Sequence, residues 1–283
     1  MTADPRYDRC ARDAASRVIS SYSTSFTMAT RLLGPRVRPS IRDVYALVRV
    51  ADEIVDGAAS AAGVGAAAQR ALLDELEAET ITAIARGFST NLIVHAFALT
   101  ARSCAIDPEL VRPFFASMRT DLVRSTHDEL SHDEYVYGSA EVVGLMCLQV
   151  FVNAGRPAPG VPAPELVHGA RRLGAAFQDI NFLRDQADDS TRLGRDYLGL
   201  HGDARRDTVL ARIDRDLDAA AAVIPALPGD CRRAVVAAHG LFAELARRVR
   251  DDESGERVRV PGVRKATIAA RAAAGRPPRR SVA

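Results

Sequence analysis

With 283 residues, 47% of them apolar and 26% charged, the chain has an ordinary globular composition and enough length to bury a large core. Its 38 basic and 36 acidic residues leave a formal net charge of +2, which speaks against the concentrated basic face of a nucleic-acid-binding protein, so no nucleic-acid partner is expected. The four cysteines, Cys10, Cys104, Cys147 and Cys231, form no CxxC pair and fit reduced, cytosolic thiols. No apolar segment of the secretory type opens the chain, and no run approaches 18 consecutive apolar residues. The expected location is cytoplasmic or on a membrane surface.

Helical periodicity dominates, and no stretch alternates like a strand. The first helix is expected over Tyr7 to Ser20. A polar turn at residues 21–25 leads to a short helix from Phe26 to Leu33, which Gly34-Pro35 breaks. Pro39 is tolerable only in the first turn of the next helix, which runs to about Gly57. After the loop Gly63 to Gly65 come an amphipathic helix to Arg86 and another from Asn91 to Ala105. Asp107 and Pro108 read as N-cap and N1 of a helix to about Ser125. Further helices are expected over 132–153, 164–188, 203–224, 228–252 and 262–274, with a proline-rich surface connection over 155–164 and an ordered or closing loop over 190–202. With no internal repeat and no long linker, the pattern predicts one all-α domain spanning 1–283, with disordered ends at about 1–6 and 275–283.

Two aspartate pairs, Asp52/Asp56 and Asp185/Asp189, stand at i,i+4 spacing on otherwise apolar helical stretches. Residues four apart share a face, so each pair sets two like charges side by side, costly to bury unless something positive sits between them. Tyr45, Arg49, Asp52 and Asp56 fall within roughly 60° of one another at 100° per residue, and Gln178, Asn181, Asp185 and Asp189 within roughly 80°, with Arg184 at the border. A helix apolar nearly all round is a buried one, so its single polar stripe must face a cavity or a partner. Two facing stripes would hold hard cations; Mg²⁺ takes one or two carboxylates together with phosphate oxygens, which points to a diphosphate ligand.

Acid pairs also occur by chance: Glu75/Glu79 has the same spacing on what reads as a solvated helix face. The six histidines form no ligand motif, and Gly63-Val64-Gly65 lacks the context of a dinucleotide fingerprint, so no nucleotide cofactor such as NADPH is expected. Ser23 and Ser25 have no His/Asp partners and read as helix caps or phosphate hydrogen-bonders. Because aromatic residues are scarce at 5%, aliphatic side chains are expected to form most of the cavity wall.

These motifs resemble the squalene/phytoene synthase family. The runs Tyr22-Ser-Thr-Ser-Phe26 and Val44-Tyr-Ala-Leu-Val-Arg-Val-Ala-Asp-Glu-Ile-Val-Asp-Gly57 look like its first signature. Gly174-Ala-Ala-Phe-Gln-Asp-Ile-Asn-Phe-Leu-Arg-Asp-Gln-Ala-Asp-Asp189 with Gly194-Arg-Asp-Tyr-Leu198 looks like its second. Tyr135 to Gly144 and Arg257-Val-Arg-Val-Pro261 are similar to two further blocks. The likeness spans roughly residues 15–265 and is nearest to bacterial phytoene synthases of actinobacterial type. Four positions depart from the pattern: Glu141-Val142 replaces a Gly-Thr pair, Gly199 replaces a proline, and Phe242 stands where a tyrosine is frequent.

The resemblance implies an all-α isoprenoid synthase fold around a central cavity. It also implies Mg²⁺-dependent head-to-head condensation of two geranylgeranyl diphosphates to phytoene, in carotenoid biosynthesis. Asp52, Asp56, Asn181, Asp185 and Asp189 would hold the metal, Mg²⁺ or alternatively Mn²⁺. Arg49, Arg184 and Arg257 would contact diphosphate oxygens, with Tyr45, Gln178 and Asn181 in the polar shell. Ser23, Ser25 and Tyr135 would help hold substrate, and Val143 and Gly144 would border the apolar tunnel. A C30 dehydrosqualene- or squalene-type synthase using farnesyl diphosphate is the alternative, and a non-catalytic helical scaffold the remote one. An oily product and the basic tail Arg276, Arg279 and Arg280 suggest peripheral membrane contact. The sequence does not fix the oligomeric state.

Overall fold

The computed structural model describes residues 5–22, 24–123, 128–188, 203–252 and 257–278, and every regular element among them is helical. Ser23, Asp189, the 190–202 loop with its Gly194–Leu198 motif, Arg279 and Arg280 lie outside the described residues. The elements are α1 (Pro5–Tyr22), α2 (Thr24–Arg31), α3 (Arg38–Val55), α4 (Ala58–Ala61), α5 (Ala66–Arg86), α6 (Leu92–Cys104), α7 (Pro108–Asp121), α8 (Glu129–Val136), a π-helical turn (Tyr137–Glu141), α9 (Val142–Asn153), α10 (Pro164–Asp188), α11 (Asp203–Val223), a 3₁₀ turn (Ile224–Ala226), α12 (Gly229–Arg250) and α13 (Gly262–Ala273).

Local chemistry fixes many of the boundaries. The Asn91 side chain accepts from the backbone N–H groups of Ile93 and Val94 at the start of α6, and Asp107 accepts from Glu109 N ahead of Pro108 in α7. Asp128 and Ser131 form a reciprocal capping box on α8. Gly87, at φ +81°, closes α5 in the left-handed conformation. Several expectations shift. Pro5 and Arg6, expected in a disordered end, open α1. The polar turn expected over 21–25 is helical at its described residues, so that α2 spans Thr24–Arg31 rather than Phe26–Leu33. α7 stops at Asp121 rather than Ser125, and the helix expected over 132–153 is three pieces, α8, the π turn and α9.

α3 packs against α1, α5, α6, α7 and α9, and α10 packs against α8, α9, α11, α12 and the π turn. One core cluster gathers Leu47, Phe97, Phe114 and Phe115 around α3, α6 and α7; a second gathers Ile180, Ile213, Leu217 and Leu245 around α10, α11 and α12. The run Leu130–Asn153 is long and apolar enough to cross a membrane by length and composition, with mean hydropathy 1.5. In this fold it packs between α7 and α10 and serves both as core and as cavity wall.

Backbones approach closely where that run meets α10. A Cβ added to Gly144 would lie 2.6 Å from the Ala170 carbonyl oxygen, and one added to Gly174 would lie 2.6 Å from that of Ala140. Only glycine permits this contact, which pulls the π turn against the helix that carries Asp185. Glu141, one of the departures from the family pattern, is buried there and takes a hydrogen bond from Arg171 Nε at 2.5 Å, while the same guanidinium lies over the Tyr137 ring.

Candidate functional site

Helices α3 and α10 line one cavity of about 540 Å³, together with α7, the π turn, α9, the end of α11 and α12. Both present apolar residues near their N-terminal ends (Ile41 on α3, Leu166 on α10) and polar ones near their C-terminal ends. From Ile41 to Asp52 is roughly 16 Å of helix, and from Leu166 to Asp185 roughly 28 Å. The cavity is therefore polar at one end and apolar along the rest. The negative ends of two helix dipoles meet at the polar end, which favours a cation there.

Of the expected residues, Tyr45, Arg49, Asp52, Asp56, Tyr135, Val143, Gly144, Gln178, Asn181 and Asp185 all line this cavity. Arg184 and Arg257 do not, but both reach Asp185. Arg184 Nε donates to Asp185 Oδ1 at 2.8 Å and its Nη2 to Oδ2, while Arg257 Nε donates to Asp185 Oδ1 at 2.7 Å. Burial alone would raise the Asp185 carboxyl, but the hydrogen bonds and charges of Arg184 and Arg257 outweigh it and hold the group below the usual carboxylate range. On the α3 side, Arg49 Nη1 donates to Asp52 Oδ2 at 2.6 Å, Nη2 lies 2.8 Å from Glu53, and the guanidinium sits 4.5 Å from the Tyr22 ring centroid. Arg49 Nε is buried with no hydrogen-bond partner. A buried N–H left unpaired beside two carboxylates suits an anion that brings its own counter-cations. Ser25 is on α2, with its side chain outside the described set.

Among the described residues, no three His, Cys, Asp or Glu side chains gather closely enough to hold a metal by themselves. What the cavity offers is hard oxygen from Asp52 and Asp56 on one wall and from Asp185 and Asn181 on the other. This donor set fits a cation that arrives with diphosphate oxygens and does not need a full protein cage.

Three features of the cavity escaped the sequence reading. Asp121, on α7, is buried and accepts the Tyr135 hydroxyl at 2.8 Å; both line the cavity. Ser139, on the π turn, also lines it, with its hydroxyl oxygen buried and lacking a hydrogen-bond partner. The wall is richer in aromatics than composition suggests: Phe114, Phe151, Phe177, Phe182 and Phe242 join Tyr45 and Tyr135. Aliphatic side chains still outnumber the rings along the wall, as expected, but the scarce rings are concentrated where the cavity is. Phe242 stacks on Phe177 with centroids 3.6 Å apart and planes 13° apart, so its position supplies ring surface rather than a hydroxyl.

Three of the histidines are core residues with partners; His168 is exposed, and His127 and His201 lie outside the described residues. His95 bonds Asp8, His132 bonds Asp179 and Arg212, and His239 bonds the Leu217 carbonyl.

A family model described as squalene/phytoene synthase matches residues 19–202. Phytoene synthase 3, chloroplastic, of Zea mays is 34% identical over 184 residues, 64% of this chain and 41% of that protein. The 15-cis-phytoene synthase of a Paracoccus species is 31% identical over 189 residues, 65% of this chain and 58% of that protein. The chain thus spans about half the length of the curated relatives it matches. Among solved structures, a dehydrosqualene synthase in complex with ligand superposes with a TM-score of 0.77 at 22% identity, covering 96% of this chain and 99% of that one. A squalene synthase from Alicyclobacillus acidocaldarius superposes at 0.70 and 20% identity, covering 88% and 96%. The fold is that of the helical isoprenoid synthases, and the chain belongs to the squalene/phytoene synthase family.

Proposed function

We propose that the whole chain works as one isoprenoid synthase domain that condenses two geranylgeranyl diphosphates head to head into phytoene. One observation carries this reading: three carboxylates and three arginines gather at the polar end of a cavity whose remaining wall is apolar and aromatic. The names of the relatives, phytoene synthases from plants and from Paracoccus, supply the substrate class.

In this mechanism Arg49, Arg184 and Arg257 release their carboxylate partners and take diphosphate oxygens. Asp52, Asp56, Asn181 and Asp185 would hold Mg²⁺, or Mn²⁺ in its place, with Asp189 as a further carboxylate, and a cation bound there would supply positive charge to the departing diphosphate. Tyr45, Gln178, Ser23 and Ser25 orient the polar heads, while Val143 and Gly144 flank the chains. Ionisation of the first substrate leaves an allylic cation; the double bond of the second attacks it, and loss of a proton to the released diphosphate closes the ring of a cyclopropylcarbinyl diphosphate. A second ionisation, rearrangement and proton loss yield the hydrocarbon. The wall keeps water from these cations, and ring faces such as Phe177 and Phe242 stabilise them. The Tyr135–Asp121 hydrogen bond adds a polar contact on the same wall.

Incubation of purified protein with Mg²⁺ and labelled C15 or C20 diphosphate tests the reading. It predicts diphosphate release and a C40 hydrocarbon from the C20 substrate. C30 product from the C15 substrate with poor use of C20 would replace phytoene synthesis by a dehydrosqualene- or squalene-type reaction, and no release from either would leave a scaffold.

A further inference from the structure

At the end of the cavity away from the aspartates, the wall is built by three chain segments that meet on one guanidinium. Arg36, in the turn between α2 and α3, donates from Nε to Asp230 Oδ2 at 2.7 Å and from Nη2 to Asp230 Oδ1 at 2.8 Å. Its Nη1 donates to the Ala154 carbonyl at 2.7 Å and its Nη2 also to the Phe151 carbonyl at 2.9 Å. Those carbonyls close the C-terminal end of α9, where helix oxygens lack intrahelical partners and a cation is favoured. Asp230 sits in the first turn of α12, where a carboxylate is favoured. The hydrogen bond from Arg36 holds its carboxyl below the usual range. The contact is closed further by Gly34: its N–H donates to the Asp230 carbonyl at 2.7 Å, and an added Cβ would lie 2.7 Å from Asp230 Cβ.

Each tied segment also contributes to the cavity floor. Leu33 precedes Arg36 by one turn, Phe151 offers its own carbonyl to Arg36, and Leu227 and Ala234 flank Asp230; all four side chains line the cavity. A bidentate ion pair with two further bonds to backbone differs from a surface salt bridge, because it fixes main chain from three segments at once. We infer that Arg36 and Asp230 are positioning residues that hold the cavity floor in place and so set the length of isoprenyl chain admitted. The inference rests on the proposed function for the identity of the ligand, and the floor geometry itself comes from this chain.

The test is calorimetric binding of farnesyl, geranylgeranyl and geranylfarnesyl thiolodiphosphates, in Mg²⁺, to the full chain and to Arg36→Met and Asp230→Asn. A released floor should cut the discrimination between the C20 and C25 probes by about tenfold, the amount a few methylene contacts carry in an apolar pocket. C15 affinity should change by less than about twofold, since that chain ends short of the floor. A ratio unchanged in a variant with wild-type circular dichroism, or an equal weakening of all three probes, would overturn the proposal. If Arg36→Met fails to fold, Asp230→Asn gives the same readout, because it keeps one acceptor oxygen for the guanidinium. Binding reads the floor even in a protein that turns nothing over, so a wrong reaction and a wrong floor give different results.

Discussion

The two ends of the cavity use the same ion pair for opposite purposes. At the polar end, Arg49 holds Asp52, and Arg184 and Arg257 hold Asp185, in contacts made between side chains. At the floor, Arg36 divides its donors between one carboxylate and two main-chain carbonyls. A side-chain pair can be exchanged for a diphosphate and its counter-cations with little movement of the helices. A guanidinium bonded to backbone cannot leave without disturbing the end of α9. What an arginine bonds besides its acid therefore separates an exchangeable site from an anchor.

The largest effect that would sharpen this contrast is at the polar end. Asp52→Asn or Asp185→Asn should lower diphosphate release by about a thousandfold while leaving helical circular dichroism and the urea midpoint near wild type. Near wild-type turnover in either variant would remove that residue from the cation site. In the middle of the wall the balance should reverse. Gly174→Val puts a side chain where even a Cβ meets the Ala140 carbonyl, so it should cost roughly 1–3 kcal/mol in urea unfolding, with activity falling as a consequence.

A third prediction concerns the support behind α3. Asp43 is fully buried, and burial pushes its carboxyl up to about 6 despite the opposing charge of Arg12 and the Thr100 hydroxyl. Because this carboxyl titrates higher in the folded chain than its ordinary value of 3.8, its contribution to stability is complete below that value and is lost as pH rises through about 6. Asp43→Asn should flatten that part of the stability curve by an amount on the order of 3 kcal/mol, read from urea midpoints across pH 4 to 7. The smallest effect is expected at Glu75→Gln, on the exposed face of α5, which should change stability by less than about 0.5 kcal/mol and leave turnover unaltered.

Much of this was legible in the chain. The stripes on α3 and α10 could be read because a buried helix shows its one polar face at 100° per residue, and the caps at Asn91 and Asp107 are encoded within a turn of their targets. The π turn at Tyr137–Glu141 was not legible. It has no local signature, and it sits where the glycine contacts bring the chain against α10. Asp121 and Ser139 gave no signal either, since each is a single polar residue whose setting is made by other elements. Glu79, which looked solvated beside Glu75, takes a hydrogen bond from the Ser89 hydroxyl. The Arg36–Asp230 pair joins residues 194 apart in sequence, and no helical or strand period reaches that far.

The central claim is that the carboxylates of α3 and α10 act together on one diphosphate-bound cation. A crystal structure with Mn²⁺ and geranylgeranyl thiolodiphosphate tests it most directly, because the anomalous signal locates the metal independently of the side chains. The account predicts manganese peaks between the Asp52/Asp56 and Asp185/Asn181 oxygens, bridged by diphosphate, with Arg49, Arg184 and Arg257 turned onto phosphate oxygens. Manganese bound to one helix alone, or a diphosphate held outside this cavity, would contradict it.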